Sequence, residues 1–509
     1  MKFQKGKFFL LYGGDFSMYD RFVEHVARIA PGKEAMLSFD GSVTFAKMDA
    51  DINRLATALL QKLNPLPKVV AVSYQQMHPH WMFLMALSRI GVATASVGDD
   101  SLIAAREIAV LKPDLIISDA FFDVETEAKV LVLDLEWYSQ IVDGADVEPL
   151  RFALPRDRVV RVAIAAGTSE KKHRVDFTAP MIEAAVIRHA HQEYIEWEGA
   201  EDAAQYHRLL PTLGTGSIHG FLSVLSIWYV CGSVIMADRE QYPAAIAMLK
   251  PSIMIISPSQ LEDILSHMPA DVPSVTGLRL VVSAGYFASA LQETVRRKLT
   301  QHMRVLYVTS EAGLIAGARV EQMTHDDMAG WLLPSVDLQI VDDEDNELPA
   351  GEIGNIRVKS AELVNGFYED EEATNRQFKD GWFYPGDLGI LDIRGGLRIF
   401  GRADELYNFG GDKFYAHTID RIVQSLPGVK DAALFAMPNE QGVPEPWLAI
   451  VKDVDFNVEK VSEALESEFH NLPNVRAMWV DTIPRDVTDR VLRYQLSMAA
   501  TQQYAKMQK

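Results

Sequence analysis

Three observations predict an α/β protein with largely parallel sheets. Helical and strand signals alternate over most of the chain. Several strand candidates are short continuous apolar runs, the kind buried on both faces. The pattern then changes twice, first to antiparallel β and then to a smaller α+β unit. Val69-Val70-Ala71-Val72, Leu115-Ile116-Ile117 and Val130-Leu131-Val132-Leu133 read as buried strands. Residues 48–63 predict an amphipathic helix, because Ile52, Leu55, Ala56 and Leu59 recur at helical spacing. Further strands are expected at 233–236, 253–256 and 278–282. Between 336 and 358, short runs broken by Asp-Asp, Asp-Asn and Ala-Gly-Glu turns predict antiparallel β.

The second change follows Gly401-Arg402. Beyond it come the segment 404–415, a helix near 417–425, strands at 432–436 and 447–451, a helix over 458–469 and a strand at 476–479. A boundary near residue 402 divides the chain into a large N-terminal domain, 1–402, and a small C-terminal domain, 403–509, long enough for a core of its own.

Composition narrows the function classes. With 48% apolar and 23% charged residues, the 509-residue chain is not disordered over most of its length. Its 49 Lys plus Arg against 70 Asp plus Glu leave a net charge of −21, which repels phosphate backbones, so no nucleic-acid partner is expected. The lone Cys231 excludes an internal disulfide and a Cys-rich zinc site; inside an apolar stretch it reads as a buried, inert thiol. The opening MKFQKGKFFLLYGG has lysines and a short apolar run but no small-residue cleavage site before Asp15. The uncharged stretch 220–237 is broken by Gly220, Ser223, Ser226, Gly232 and Ser233. It reads as a buried helix running into a strand, not a membrane span. A cytoplasmic protein is expected.

The chemistry concentrates between 341 and 429. In order come Gly351-Glu352-Ile353-Gly354, Asn365-Gly366-Phe367-Tyr368, Gly381-Trp382-Phe383-Tyr384-Pro385-Gly386-Asp387, Gly401-Arg402-Ala403-Asp404-Glu405 and Gly410-Gly411-Asp412-Lys413. An Asp directly after a Gly in a tight turn can accept two hydroxyl hydrogen bonds, which suits a ribose. An Arg after a Gly at a domain border offers a planar fork for hydroxyl or phosphate oxygens, and a Gly-Gly pair lets a ligand approach the backbone. Each element alone occurs in ordinary turns; their order and spacing are specific.

That ordered set resembles the ANL superfamily of adenylate-forming enzymes, the acyl- and aryl-CoA synthetases, luciferases and peptide-synthetase adenylation domains. The resemblance spans essentially the whole chain and is strongest from about 330 to 429. It implies a large N-terminal domain of two mainly parallel α/β sheets plus a small β-barrel-like part, and a smaller mobile α+β C-terminal domain. Asp387 matches the family's ribose-binding Asp, with Pro385 replacing the usual Thr. Arg402 and Asp404 match its ribose-binding Arg and its hinge residue. Gly410 and Gly411 match the pair lining the pantetheine tunnel. Upstream, Tyr307-Val308-Thr309-Ser310-Glu311 looks like the Tyr-Gly-x-Thr-Glu segment, and Gly285 lies in the adenine-binding turn. Tyr307 would stack on adenine, Ser310 would bond a phosphate oxygen and Glu311 would hold Mg²⁺.

Two motifs depart from the family pattern. The phosphate loop lines up with 165–175, where only Gly167, Thr168 and Val175 match outright and Ser169 is conservative. Glu170 adds negative charge, while Lys171, Lys172, His173 and Arg174 offer cations that offset it; a solvated basic turn is the competing reading. At the C-terminus, Asp489 and Arg490 replace the family's Gly-Lys. Arg490 keeps the charge of the lysine that bridges carboxylate and α-phosphate, but spreads it over a wide fork, and with Arg493 it forms a cationic pair where an acidic protein could still hold a nucleotide. At 210–216, small residues replace the expected His and would leave room for a bulky or elongated acyl chain. His219 reads as structural, and His189, His191 and His207 show no metal-ligand spacing.

The resemblance therefore implies an AMP-forming acid–thiol ligase using ATP and Mg²⁺. A small carboxylic acid would become an acyl-AMP and pass to CoA or to the phosphopantetheine of an acyl carrier protein. The alternative is a divergent member with weak or no adenylation, acting as a nucleotide- or acyl-binding partner or catalysing an unusual acyl-AMP-dependent condensation. A homodimer is compatible with either.

Overall fold

The computed structural model describes residues 19–507, apart from 99, 122–123, 153, 166–171, 196–206, 269–276, 284, 286, 326, 410–411, 440–442 and 486–490. The chain forms two compact units, one of residues 1–164 and 173–252, the other of residues 165–172 and 253–509. The N-terminal lysine-rich opening lies outside the described residues.

In the first unit, a six-stranded sheet includes Val69–Ser73, Ala93–Ser96, Leu115–Ser118 and Lys129–Val132, paired in parallel. All five residues of Val69–Ser73 are buried, as expected for a central parallel strand covered on both faces. The helix Phe45–Lys62 starts three residues before the predicted one, because the Thr44 side chain accepts the Lys47 N–H (3.3 Å) and caps it there. It buries Met48, Ile52, Leu55, Ala56 and Leu59 along one face. A second set of strands, Glu34–Ser38, Ser233–Ile235 and Arg208–Pro211, also pairs in parallel.

The apolar stretch at 220–237 forms the helix Ile218–Tyr229, buried on every side, and the strand Ser233–Ile235. Twelve residues fall well short of the roughly 20 a membrane span needs. No described helix is long and apolar enough to cross a membrane. Cys231 lies in the turn between these elements at φ +60°, half-buried rather than fully buried as expected; burial still pushes its thiol above the ordinary range.

In the second unit, Ile253–Ile256, Arg279–Ser283 and His302–Thr309 pair in parallel. From Gly313 onward the pairing becomes antiparallel through Gly313–Arg319, Met328–Leu332, Val336–Val341, Gly354–Ser360, Asp387–Leu391 and Gly396–Arg402. This matches the antiparallel region read from the turn chemistry. The segment expected at 404–415 is a 3₁₀ turn, Ala403–Glu405, followed by the hairpin Leu406–Phe409 and Asp412–Tyr415. The smaller α+β part then has the strands Val429–Pro438, Pro444–Lys452 and Arg476–Trp479, with helices Ala416–Gln424 and Val458–Glu468. Ile419, Val423, Leu434, Leu448, Ile450, Val461 and Leu465 form its own apolar core.

Candidate active site

The site is built where parallel pairing gives way to antiparallel pairing. Strands Asp387–Leu391 and Gly396–Arg402 are joined by a tight turn whose Asp392 carboxylate accepts the N–H groups of Arg394 (2.7 Å) and Gly396 (2.9 Å). That turn sets the register from Leu391–Leu397 to Gly389–Ile399, and a one-residue shift between Leu388 and Gly389 then brings Asp387 opposite Arg402. Arg402 Nη1 donates to Asp387 Oδ1 (3.0 Å) and to the Pro385 carbonyl (2.5 Å); its Nε donates to Asp404 Oδ1 (3.3 Å). The partner at 385 is a backbone carbonyl, so proline in place of the family's threonine leaves this contact intact.

Tyr307, on the strand His302–Thr309, donates its hydroxyl to Asp387 Oδ2. Burial raises the Tyr307 hydroxyl well above its ordinary value, and the Asp387 carboxylate adds to the rise, so it remains a donor. Register slips between Tyr307 and Val308, a bulge that redirects the strand end at the position where Val308 replaces the family glycine.

The chain then turns sharply. Thr309 Oγ1 accepts the Ala312 N–H (3.0 Å), Ser360 Oγ donates to the Ala312 carbonyl (2.6 Å), and the Val364 N–H donates to the Glu311 carbonyl (2.9 Å). Gly313 completes the turn at φ +68°, and a Cβ there would lie 2.0 Å from Glu362 Oε2. Both the conformation and the space require glycine. Gly313→Ala is expected to cost about 1–3 kcal/mol in denaturant unfolding and to weaken whatever Glu311 holds.

Glu311 is only 5% exposed. Burial raises its carboxyl to about 7; Arg402 opposes the rise and the Asp387 carboxylate adds to it. The residues present fit a divalent cation and a nucleotide on two counts. A buried carboxyl facing a second carboxylate is relieved by a cation. Arg402 Nη2 is a buried donor without a hydrogen-bond partner among the described residues, so a ligand oxygen would satisfy it.

Lys172 falls in the same compact unit as Tyr307, Glu311, Asp387 and Arg402. Ser310 is half-buried at the strand end and Gly285 is exposed just after Arg279–Ser283. Gly167, Thr168, Ser169, Gly410, Gly411 and Arg490 lie outside the described residues.

Two cationic expectations are corrected. Arg174 is buried in the strand His173–Thr178, pairs with Asp176 (2.7 and 3.0 Å) and donates to the Leu111 carbonyl (2.8 Å). Its charge is already matched by a carboxylate two residues away, so it is not a free cation for a triphosphate. Arg493, read as a second cation beside Arg490, is buried against Asp420 (2.6 Å) and Glu405 (3.1 Å) and donates to the Leu434 carbonyl (2.7 Å). It fastens the start of the last helix to the small core.

Sequence reasoning missed three further groupings. Arg161, buried in the first unit, holds the 212–217 loop by donating to the Thr215 carbonyl (2.6 Å) while stacking over Phe221 at 4.3 Å. Asp327 accepts from Arg398 (2.8 Å) and pairs with Arg421 (3.5 Å). His189, set aside on spacing, meets Glu193 and His219. Only the His189–Glu193 separation of four residues was visible in the sequence, as one helical face; the remaining partners are distant in the chain.

The AMP-binding enzyme family model matches residues 181–368. The 3-hydroxybenzoate–CoA/4-hydroxybenzoate–CoA ligase of Thauera aromatica is 22% identical over 91% of this chain and 93% of its own length. ATP-bound MatB from Rhodopseudomonas palustris has a TM-score of 0.79 at 18% identity, covering 95% of this chain and 99% of that one. The amide bond synthetase McbA from Marinactinospora thermotolerans has a TM-score of 0.78 at 20% identity, covering 94% and 99%. These structures share the fold, a large sheet-rich α/β part followed by a smaller C-terminal part. The family match over residues 181–368 and the full-length relative agree with the motif order in likening the chain to the AMP-binding, adenylate-forming enzymes.

Proposed function

We propose that the protein is an AMP-forming acid–thiol ligase. The acid's carboxylate oxygen attacks the α-phosphorus of ATP and pyrophosphate leaves. A thiol sulfur, from CoA or a carrier-protein phosphopantetheine, then attacks the acyl carbon; AMP departs and the thiol proton goes to solvent. The observation that carries this reading is the joining of Asp387, Arg402 and Tyr307 by hydrogen bonds, with Glu311 in electrostatic reach of all three.

In this reading Asp387 accepts the two ribose hydroxyls and Arg402 Nη2 donates to a ligand oxygen. Tyr307, tethered at its hydroxyl, presents its ring to adenine beside Gly285. Gly167, Thr168, Ser169, Lys172 and Ser310 would contact the phosphates, and Glu311 would hold Mg²⁺, which would neutralise triphosphate charge. Arg490 stabilises charge at the α-phosphate. The boundary lies near residue 402, the 403–509 part reorients about Asp404, and Gly410-Gly411 then line the path of the thiol.

The test is ATP–pyrophosphate exchange over a panel of aryl and alkyl acids, starting with the hydroxybenzoates named for the Thauera relative. Exchange with at least one acid is expected. Background exchange throughout, with ATP still bound, would reject adenylation. The replaced phosphate-loop residues and Arg490 favour a second reading, a member tuned away from efficient adenylation. Arg490→Lys separates the two. A loss of about tenfold or more is expected if the wide fork is the working group in its own geometry; a large gain supports the second reading.

A further inference from the structure

The first unit contains a buried cluster that the adenylation chemistry does not use. The helix Ala179–His189 runs directly into a π-helical turn, Ala190–Ile195, which packs against the helix Ile218–Tyr229. A π turn costs helix hydrogen-bond geometry and is found mostly where it places a functional side chain. Here it places Glu193, which is fully buried. Glu193 Oε1 lies 3.0 Å from His189 Nδ1 and 2.8 Å from His219 Nε2, with Ser223 Oγ at 3.5 Å. His189 is buried and His219 is only 6% exposed.

Glu193 Oε2 is buried and makes no hydrogen bond among the described residues. An ionised carboxylate with one bare oxygen in an apolar interior is expensive, so this atom points to a missing partner.

We propose that His189, Glu193 and His219 form a structural site for a zinc-class divalent ion. Imidazole nitrogens with a carboxylate select Zn²⁺ and its neighbours rather than Mg²⁺ or Ca²⁺. The ligand atoms all lie within 4.8 Å of one another. Bonds of about 2.0–2.2 Å to a tetrahedral ion separate ligand atoms by about 3.3 Å, so opening the present contacts by a few tenths of an ångström admits the ion. Glu193 chelates through both oxygens at one corner of the coordination shell, which gives Oε2 its partner beside the two imidazole nitrogens. His189 then carries its proton on Nε2 and His219 on Nδ1. With every ligand buried, the ion pins the π turn to the helix Ile218–Tyr229.

The test is metal content of the purified full-length protein, followed by chelation and Zn²⁺ titration. One equivalent of Zn²⁺ per chain is expected. The stripped protein should melt several degrees lower, with Tm restored by Zn²⁺. Co²⁺ loading should give the visible d–d bands of a four-coordinate site. Glu193→Gln and His219→Gln should each weaken Zn²⁺ binding by at least about 100-fold, while Glu311→Gln keeps the zinc. Failure of the stripped protein to take up Zn²⁺ with any change in Tm, or wild-type affinity in the folded His219→Gln variant, would overturn the site and leave a hydrogen-bonded triad. If Glu193→Gln does not fold, His219→Gln and the wild-type Co²⁺ spectrum decide.

Discussion

Replacing Asp387 by alanine is expected to lower kcat/KM for ATP by about 10²–10³-fold. Asp387 accepts hydrogen bonds from Arg402 and the Tyr307 hydroxyl in the free protein. Under the proposed function its loss removes the ribose acceptors, and in any case it leaves a largely buried guanidinium without its main carboxylate. Charge-assisted hydrogen bonds contribute about 1.5–3 kcal/mol each, and breaking one side of a buried pair costs about 3–5 kcal/mol. Part of that cost will be visible without substrate, as a lower unfolding midpoint. Asp387→Asn keeps the shape but donates where it should accept, so it should recover stability more than activity. Steady-state kinetics over ATP concentration, paired with denaturant unfolding, checks both. Unchanged kcat/KM in a folded alanine variant would remove Asp387 from the nucleotide site.

The second large effect belongs to Glu311. Its carboxyl is held at about 7 chiefly by burial, with Asp387 adding and Arg402 opposing. The sign follows directly. Below pH 7 the neutral acid dominates and binds a cation poorly; above it the carboxylate is present. Activity at subsaturating Mg²⁺ should therefore fall as pH drops through about 7. Saturating Mg²⁺ should move the fall to lower pH, because the ion competes with the proton. Glu311→Gln should reduce adenylation by about 10²–10³-fold and flatten this part of the profile, since a metal-held charge near a phosphoryl centre contributes several kcal/mol. Pyrophosphate exchange over pH at two Mg²⁺ concentrations measures both. A pH profile that ignores Mg²⁺ would separate Glu311 from the ion.

Much of the architecture was legible because hydrophobic periodicity is local. Val69–Ser73, Ile253–Ile256 and Arg476–Trp479 stand where continuous apolar or β-branched runs predict strands, and the uncharged stretch from 220 resolves into a helix and a strand. Boundaries were less legible where a cap decided them. Thr44 moved one helix start by three residues, and the segment from Ala403 became a turn and hairpin.

The candidate site divides along the same physical line. By itself the sequence determined the residue types, their order and their tight-turn glycines, and through the resemblance these carry they made Tyr307, Glu311, Asp387 and Arg402 candidates. Only the tertiary structure decided which charges are available. Asp176 occupies Arg174, and Asp420 with Glu405 occupies Arg493, so two arginines that read as cations for a nucleotide are structural. Strand register, not spacing along the chain, sets Asp387 against Arg402, and a π turn brings Glu193 to two histidines. A charge is defined by the residue that carries it, but its work depends on the partner folding places within about 3 Å, and that partner is usually distant in sequence.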